Sequence, residues 1–205
     1  MAVSHFAVAQ EAHWTTVEEI LAAVGATPIL RSDIVLAALV RLVPREEGED
    51  ESAYWSRLLD ARIRLELEFQ DLEEGGLLYR LEPDPAAVRE VLVQRAGGEE
   101  ALGSGLEAAG LGRSDFDELV SRAATAQAYV EQRLRPRISV SPEEVEAAYQ
   151  AFLVEEIADA GEPVPPLSAV RSHLQQILVE QKLNQEIERW VEQAAERHEV
   201  VRFRR

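Results

Sequence analysis

The chain reads as a mainly α protein with a small antiparallel sheet built from its two ends. Three observations predict this class. Two short apolar runs between Ile20 and Leu30 flank Gly25-Ala26, which fits a two-residue hairpin loop. From Ser32 to His198 apolar stripes of helical period follow one another, punctuated by capping residues, glycines and prolines. At the far end Val200-Val201-Arg202-Phe203 resembles a closing strand.

Taken in order, Ile20, Ala22 and Val24 alternate with Leu21 and Ala23, which suits a strand buried on both faces. Gly25 supplies the positive φ of the turn, and Thr27-Pro28-Ile29-Leu30 returns. Pro28 has no N–H, so the return strand belongs at an edge. Ser32 caps a helix from about 33 to 43. The acidic loop 44–51 precedes a helix over 52–74, closed by Gly75-Gly76. Trp55, Leu58, Leu59, Leu65, Phe69 and Leu72 form its main stripe. Ile63 and Leu67 lie off that stripe, which predicts cover on more than one side. Asp84-Pro85 opens the next helix, which ends near Gly97-Gly98, and a glycine-interrupted helix spans 99–110. Ser114-Asp-Phe-Asp117 reads as a capping box for a helix to about Arg135, stopped by Pro136. Ser141-Pro142-Glu143-Glu144 is the strongest helix start in the chain, for a helix fading near Gly161. The last helix runs from about Leu167 to His198, with Leu167, Val170, Leu174, Ile177, Leu178, Ile187, Trp190 and Val191 facing inward. No internal repeat or low-complexity tract occurs.

Composition excludes several functions. Among 205 residues, 21 basic against 38 acidic side chains leave a formal charge of −17. That balance argues against general nucleic-acid binding and against sitting on anionic lipid. An apolar fraction of 46% is enough for a real core. The absence of cysteine excludes disulfides, thiolate metal sites and a Cys nucleophile. No apolar run approaches the roughly 20 residues of a membrane span, so membrane insertion is not expected. At the amino terminus, Ala7-Val8-Ala9 before Gln10 has the form of a signal-peptidase site, without a basic n-region. Residues 1–16 are expected to be either a signal-peptide remnant or a flexible terminus, and 17–205 one domain.

Catalytic chemistry is not visible. The four histidines, His5, His13, His173 and His198, lack metal-ligand spacing, and the two helical ones are expected at the surface. Gly103-Ser-Gly105 follows a helix rather than a strand and has no Gly-Lys-Ser/Thr after it. No Gly-x-Ser-x-Gly elbow is present. The acidic run 46–51 lacks the alternate-position ligands of a calcium loop and reads as a solvated loop. Glu143 and Glu144 read as caps. Arg133, Arg135, Arg137, Arg202, Arg204 and Arg205 form two basic clusters expected to balance acidic helices. No catalytic, cofactor-binding or metal-ligating residue is assigned, no cofactor is expected, and the chain is not expected to be an enzyme.

The order of these features resembles SurA-type periplasmic chaperones. Carrying the resemblance are Ile29-Leu30-Arg31-Ser32-Asp33 after the Gly25 turn, Leu58-Leu59-Asp60-Ala61-Arg62-Ile63, and Gly97-Gly98-Glu99-Glu100-Ala101-Leu102. Further matches are Leu111-Gly-Arg-Ser-Asp-Phe116, Val130-Glu-Gln-Arg-Leu-Arg-Pro-Arg137, Val140-Ser-Pro-Glu-Glu-Val145, Val179-Glu-Gln-Lys-Leu-Asn184 and Ile187-Glu-Arg-Trp190. Together they span most of 17–203. The resemblance implies the SurA N-terminal-like peptide-binding domain. It departs from relatives that carry a parvulin prolyl-isomerase domain before the final helix, because the connection from about Ala158 to Pro166 is a short loop. It further implies an ATP-independent chaperone for non-native polypeptides, such as outer-membrane protein precursors in the periplasm, with a cytoplasmic location as the alternative. Candidate client-binding residues are the large apolar side chains least committed to one stripe: Tyr54, Ile63, Leu67, Tyr129, Tyr149 and Phe152. A helical homodimer or adaptor module without client-holding activity is the competing reading.

Overall fold

Helix α2 (Glu51–Glu74) packs against the sheet and against three other helices. The computed structural model describes residues 18–151 and 165–203. The amino-terminal segment with Ala7-Val8-Ala9, residues 152–164 with Phe152, and Arg204 and Arg205 lie outside the described residues. The elements run β1 (Ile20–Val24), β2 (Thr27–Leu30), α1 (Arg31–Leu39), α2, α3 (Pro85–Ala96), α4 (Glu99–Ala109), α5 (Arg113–Tyr129), α6 (Pro142–Tyr149), α7 (Leu167–Arg197) and β3 (Val200–Arg202). The protein is mainly α, with one three-stranded antiparallel sheet among the described residues.

The sheet joins the two chain ends in the order β2–β1–β3, with Val24 opposite Thr27 on one side and Val200 on the other. Gly25 turns at φ +55°, and its N–H donates to the Glu199 carbonyl at 2.8 Å. Pro28 sits on an edge strand, where its missing donor breaks no ladder. Burial on both faces of β1 does not hold. Ala22 and Val24 are buried against α2, Leu21 and Ala23 are half-buried, and Ile20 is exposed. Side chains alternate across a strand, so α2 on one face leaves Leu21 and Ala23 only partly covered, and the register shift between Ile20 and Ala22 takes Ile20 out of the buried set.

Two helices begin earlier than their serines predict, for one shared reason. The Leu30 N–H donates to Asp33 Oδ2 at 2.7 Å, so α1 starts at Arg31 and not after Ser32. The Gly112 N–H donates to Asp115 Oδ2 at 2.7 Å, so α5 starts at Arg113. In each helix the aspartate stands at the third helical position and reaches back to the N–H of the residue before the first turn, a charge-assisted bond that fixes the start there. Starts carried by proline fall where expected: Asp84 accepts from the Ala87 N–H before Pro85, and Ser141 with Glu144 forms a reciprocal box around Pro142. Helix α5 does not run unbroken to Arg135. It widens into a π turn over Val130–Leu134 and a 3-10 turn over Arg135–Arg137, because the Pro136 ring cannot fit a regular ladder.

Three apolar clusters form the core, and α2 contributes to each. Tyr54, Leu58, Ile63 and Leu67 meet Ala22, Val24 and Ala194. Leu65 joins Leu102, Phe116 and Leu119 from α4 and α5. Leu72 meets Leu134, Leu183 and Trp190. Cover on more than one side of α2, expected from its off-stripe residues, is thus observed. The inner face of α7 is Leu174, Leu183, Trp190 and Ala194, while Ile177 is exposed. The predicted stripe missed Leu183 and Ala194 because α7 lies against α6 and against α2 at different points along its length.

Candidate functional site

A groove of about 1070 Å³ opens where β2 and the start of α1 face the turn between α4 and α5. Its apolar lining comes from Pro28, Leu30, Val35, Leu36, Leu111 and Leu119. Five carboxylates also line it, Glu18, Glu19, Asp33, Asp115 and Glu118, against the guanidiniums of Arg31 and Arg62. Local bonds fix these charges. Asp33 and Asp115 are the capping carboxylates of α1 and α5. Arg31 Nη1 lies 3.4 Å from Glu19 Oε2, and Glu118 accepts from Arg122 at 2.8 Å. Burial pushes the Glu18 carboxyl up. Bonds from the Ser32 hydroxyl and from the N–H groups of Glu19, Ser32 and Arg31 outweigh it and hold the group below its usual range.

Arg62 of α2 is the unusual member. It is 7% exposed and lines the groove beside Asp33, to which its Nη2 donates at 3.3 Å. Its Nε and Nη1 are buried and find no acceptor among the described residues. A guanidinium carries five N–H donors, and buried donors are paired in almost all proteins. Arg62 therefore meets the groove beside Asp33, while its unpaired Nε and Nη1 lie inside the protein, out of reach of solvent.

The sequence-selected side chains lie elsewhere. Tyr54, Ile63 and Leu67 are buried in the cluster under the sheet, and the Tyr54 hydroxyl donates to the Val43 carbonyl at 3.4 Å. These three read as off-stripe because they form the second buried face of α2, so they are core residues and line no surface in this conformation. Tyr129 is half-buried, with its ring 4.5 Å from that of Trp190, and burial raises its phenol above the usual value. Tyr149 is half-buried and donates to the Pro165 carbonyl at 2.8 Å. Phe152 lies outside the described residues. None of the five described residues lines the groove.

Other expectations divide. Arg135 pairs with Glu131 and Glu180, and Arg202 with Asp60 at 2.6 Å, so these basic residues do balance acidic helices. The acidic loop supplies Glu46 and Glu49 to Arg57 and Asp50 to the α2 cap. His198, expected at the surface, is buried. The chain turns there from α7 into β3 and places the ring in a second cavity of about 410 Å³ beneath the hairpin, with Gln70 and Arg122. Its Nδ1 is 3.8 Å from Glu74 Oε1. Among the described residues no group of three His, Asp or Glu side chains is placed to hold a metal ion, and no helix is long and apolar enough to cross a membrane. No model of a known protein family matches the chain, and no curated protein matches it.

Proposed function

We propose that the chain is an ATP-independent holding module that takes short segments of non-native polypeptide into the groove between β2, α1 and the α4–α5 turn. The observation that carries this reading is the groove itself, where Pro28, Leu30, Val35 and Leu111 lie among five carboxylates and two guanidiniums. Its volume suits a few residues of chain rather than a folded domain. Apolar burial at about 25 cal/mol per Å² is tolerant of sequence and supports weak, reversible holding. The formal charge of −17 would keep loaded complexes apart. The order of motifs resembling SurA-type chaperones supports the same reading, and with it outer-membrane precursors as clients and the periplasm as the compartment. The proposal needs no catalytic group and no cofactor. Light scattering by an unfolded β-barrel protein tests it: aggregation falls as the chain is added, and no suppression at several-fold molar excess sinks the reading.

A second reading, a homodimeric adaptor, is favoured by one observation. Ile20, Val201 and Phe203 are 50, 39 and 53% exposed on or beside the terminal sheet. Sedimentation separates the two readings. A tight dimer that loses its self-association in Phe203→Ser, together with no suppression of aggregation, favours the adaptor.

A further inference from the structure

The two edges of the sheet differ in what they offer another strand. In an antiparallel sheet successive residues turn their N–H and C=O groups to opposite sides. The Gly25 N–H donates to the Glu199 carbonyl and the Phe203 N–H to the Leu21 carbonyl, so residues 199, 201 and 203 face β1. Val200 and Arg202 therefore turn their backbone groups outward. On the other flank the outward position of β2 belongs to Pro28, which has no N–H, and the Leu30 N–H is taken by Asp33. That edge is closed to a further strand. The β3 edge carries no proline and no register shift, and among the described residues nothing bonds the outward groups of Val200 and Arg202. Such an edge is a template for pairing with another chain.

The same strand of a second copy fits it. Laid antiparallel and centred on Val201, it sets Val200 of each copy opposite Arg202 of the other. All four outward N–H groups then meet carbonyls. On the outer face Val201 meets its counterpart and Phe203 lies diagonal to it, which covers side chains 39 and 53% exposed in the single chain. On the α2 face Arg202 is held by Asp60 of its own copy at 2.6 Å, so the charged side chain of β3 is already paired.

We propose that two copies join edge to edge through β3, antiparallel about Val201, into one six-stranded sheet. This pairing rests on the self-association of the second reading above and gives it a geometry. The groove is lined by Pro28 and Leu30 of β2 and by no residue of β3, so it stays on the outer flank of each half. Self-association in this form leaves both grooves free.

The test uses the full chain at moderate salt, which screens the like charge of the two copies. Sedimentation velocity across a concentration series is expected to show a reversible dimer. Val200→Pro removes one outward donor from each copy, as Pro28 does at the other edge, and is expected to weaken dimerisation at least about tenfold. Circular dichroism checks that this variant still folds. Val201→Lys keeps every backbone bond but sets two ammonium groups opposite each other, and a loss of the same order is expected. Residues at the centre of such a pair have Cα atoms about 4.5 Å apart, within the reach of a disulfide. The chain has no cysteine, so Val201→Cys supplies one thiol per copy. With diamide taking up the two electrons and two protons, this variant is expected to link into a dimer. Val91→Cys, on the exposed side of α3, is expected to stay unlinked at the same concentration. A chain that sediments as a monomer throughout overturns the pairing and the homodimer reading together. A dimer that withstands both substitutions, or links no faster at position 201 than at 91, overturns the pairing and leaves the homodimer reading standing.

Discussion

The contact between Glu66 of α2 and Arg122 of α5 is the place where a small change is expected to cost the fold most. Glu66 has a side chain only 3% exposed, and its partners are Arg122 Nη1 and the Gln70 amide at 2.8 Å. Arg122 also donates to Glu118 at 2.8 and 3.0 Å, and its guanidinium lies 4.5 Å from the centre of the Phe69 ring. Arg122→Met keeps the length and apolar stem of the side chain but leaves the buried carboxylate with the Gln70 amide alone. Breaking a buried pair from one side costs about 3–5 kcal/mol. Loss of the cation over Phe69 adds about 0.5–1 kcal/mol. Glu66→Gln keeps an acceptor for Arg122 and removes the buried charge, at a cost of about 1–2 kcal/mol. In the double variant the main penalty of the first change has no charge left to act on, so a coupling of at least about 2 kcal/mol is expected. Urea unfolding followed by far-UV circular dichroism measures all four species. A loss below about 1 kcal/mol for Arg122→Met, or additivity within about 0.5 kcal/mol, would refute the reasoning.

Three further outcomes are expected. Gly25→Ala places a Cβ on a residue at φ +55° and 3.2 Å from Gln70 Oε1, and is expected to cost about 1–2 kcal/mol, read as a fall in Tm. Leu58→Ala, at a fully buried position between the sheet and α2, is expected to cost about 2–5 kcal/mol in urea unfolding. Glu144 is held below the usual carboxylate range first by the Lys182 ammonium and then by the Ser141 N–H. A carboxyl lowered by folding stabilises above its unfolded pKa, and that contribution disappears as pH falls through the lowered value. Carbon-detected NMR titration is expected to find Glu144 below the usual glutamate range, and to find it returned toward that range in Lys182→Met.

Signals acting over three or four residues were legible, and signals that depend on distant chain were not. Asp84-Pro85 and Ser141-Pro142 set their helix starts without help, because proline and cap sit in the same turn. The edge position of Pro28 followed from its missing donor. Ser32 and Ser114 do not cap, because the aspartate after each reaches back to the N–H of Leu30 or Gly112 and sets the helix start ahead of the serine. Arg62 left a trace that went unread. The α2 stripe steps through 55, 58, 62, 65, 69 and 72, and position 62 is the one place where a charged residue occupies it. A cation on an otherwise apolar stripe needs a partner from elsewhere in the fold, here Asp33 of α1. That Ile63 and Leu67 are covered is legible from their place off the main stripe, but not what covers them, because the sheet there includes β3 from the opposite end of the chain.

The Tyr149 hydroxyl fastened to the Pro165 carbonyl has a topological consequence. It brings the departure and return points of segment 150–164 within one side chain's reach, and the Lys182 contacts to Glu144 and the Ser139 carbonyl moor α6 to α7 just outside them. With both ends anchored, the length of chain between them is expected to matter little to the fold. The closure entropy of such an excursion rises only as the logarithm of its length, about 0.6 kcal/mol for each doubling. Chain added between the two anchors is thus expected to cost little, and α2 and the acid-rimmed groove are expected to stay as they are.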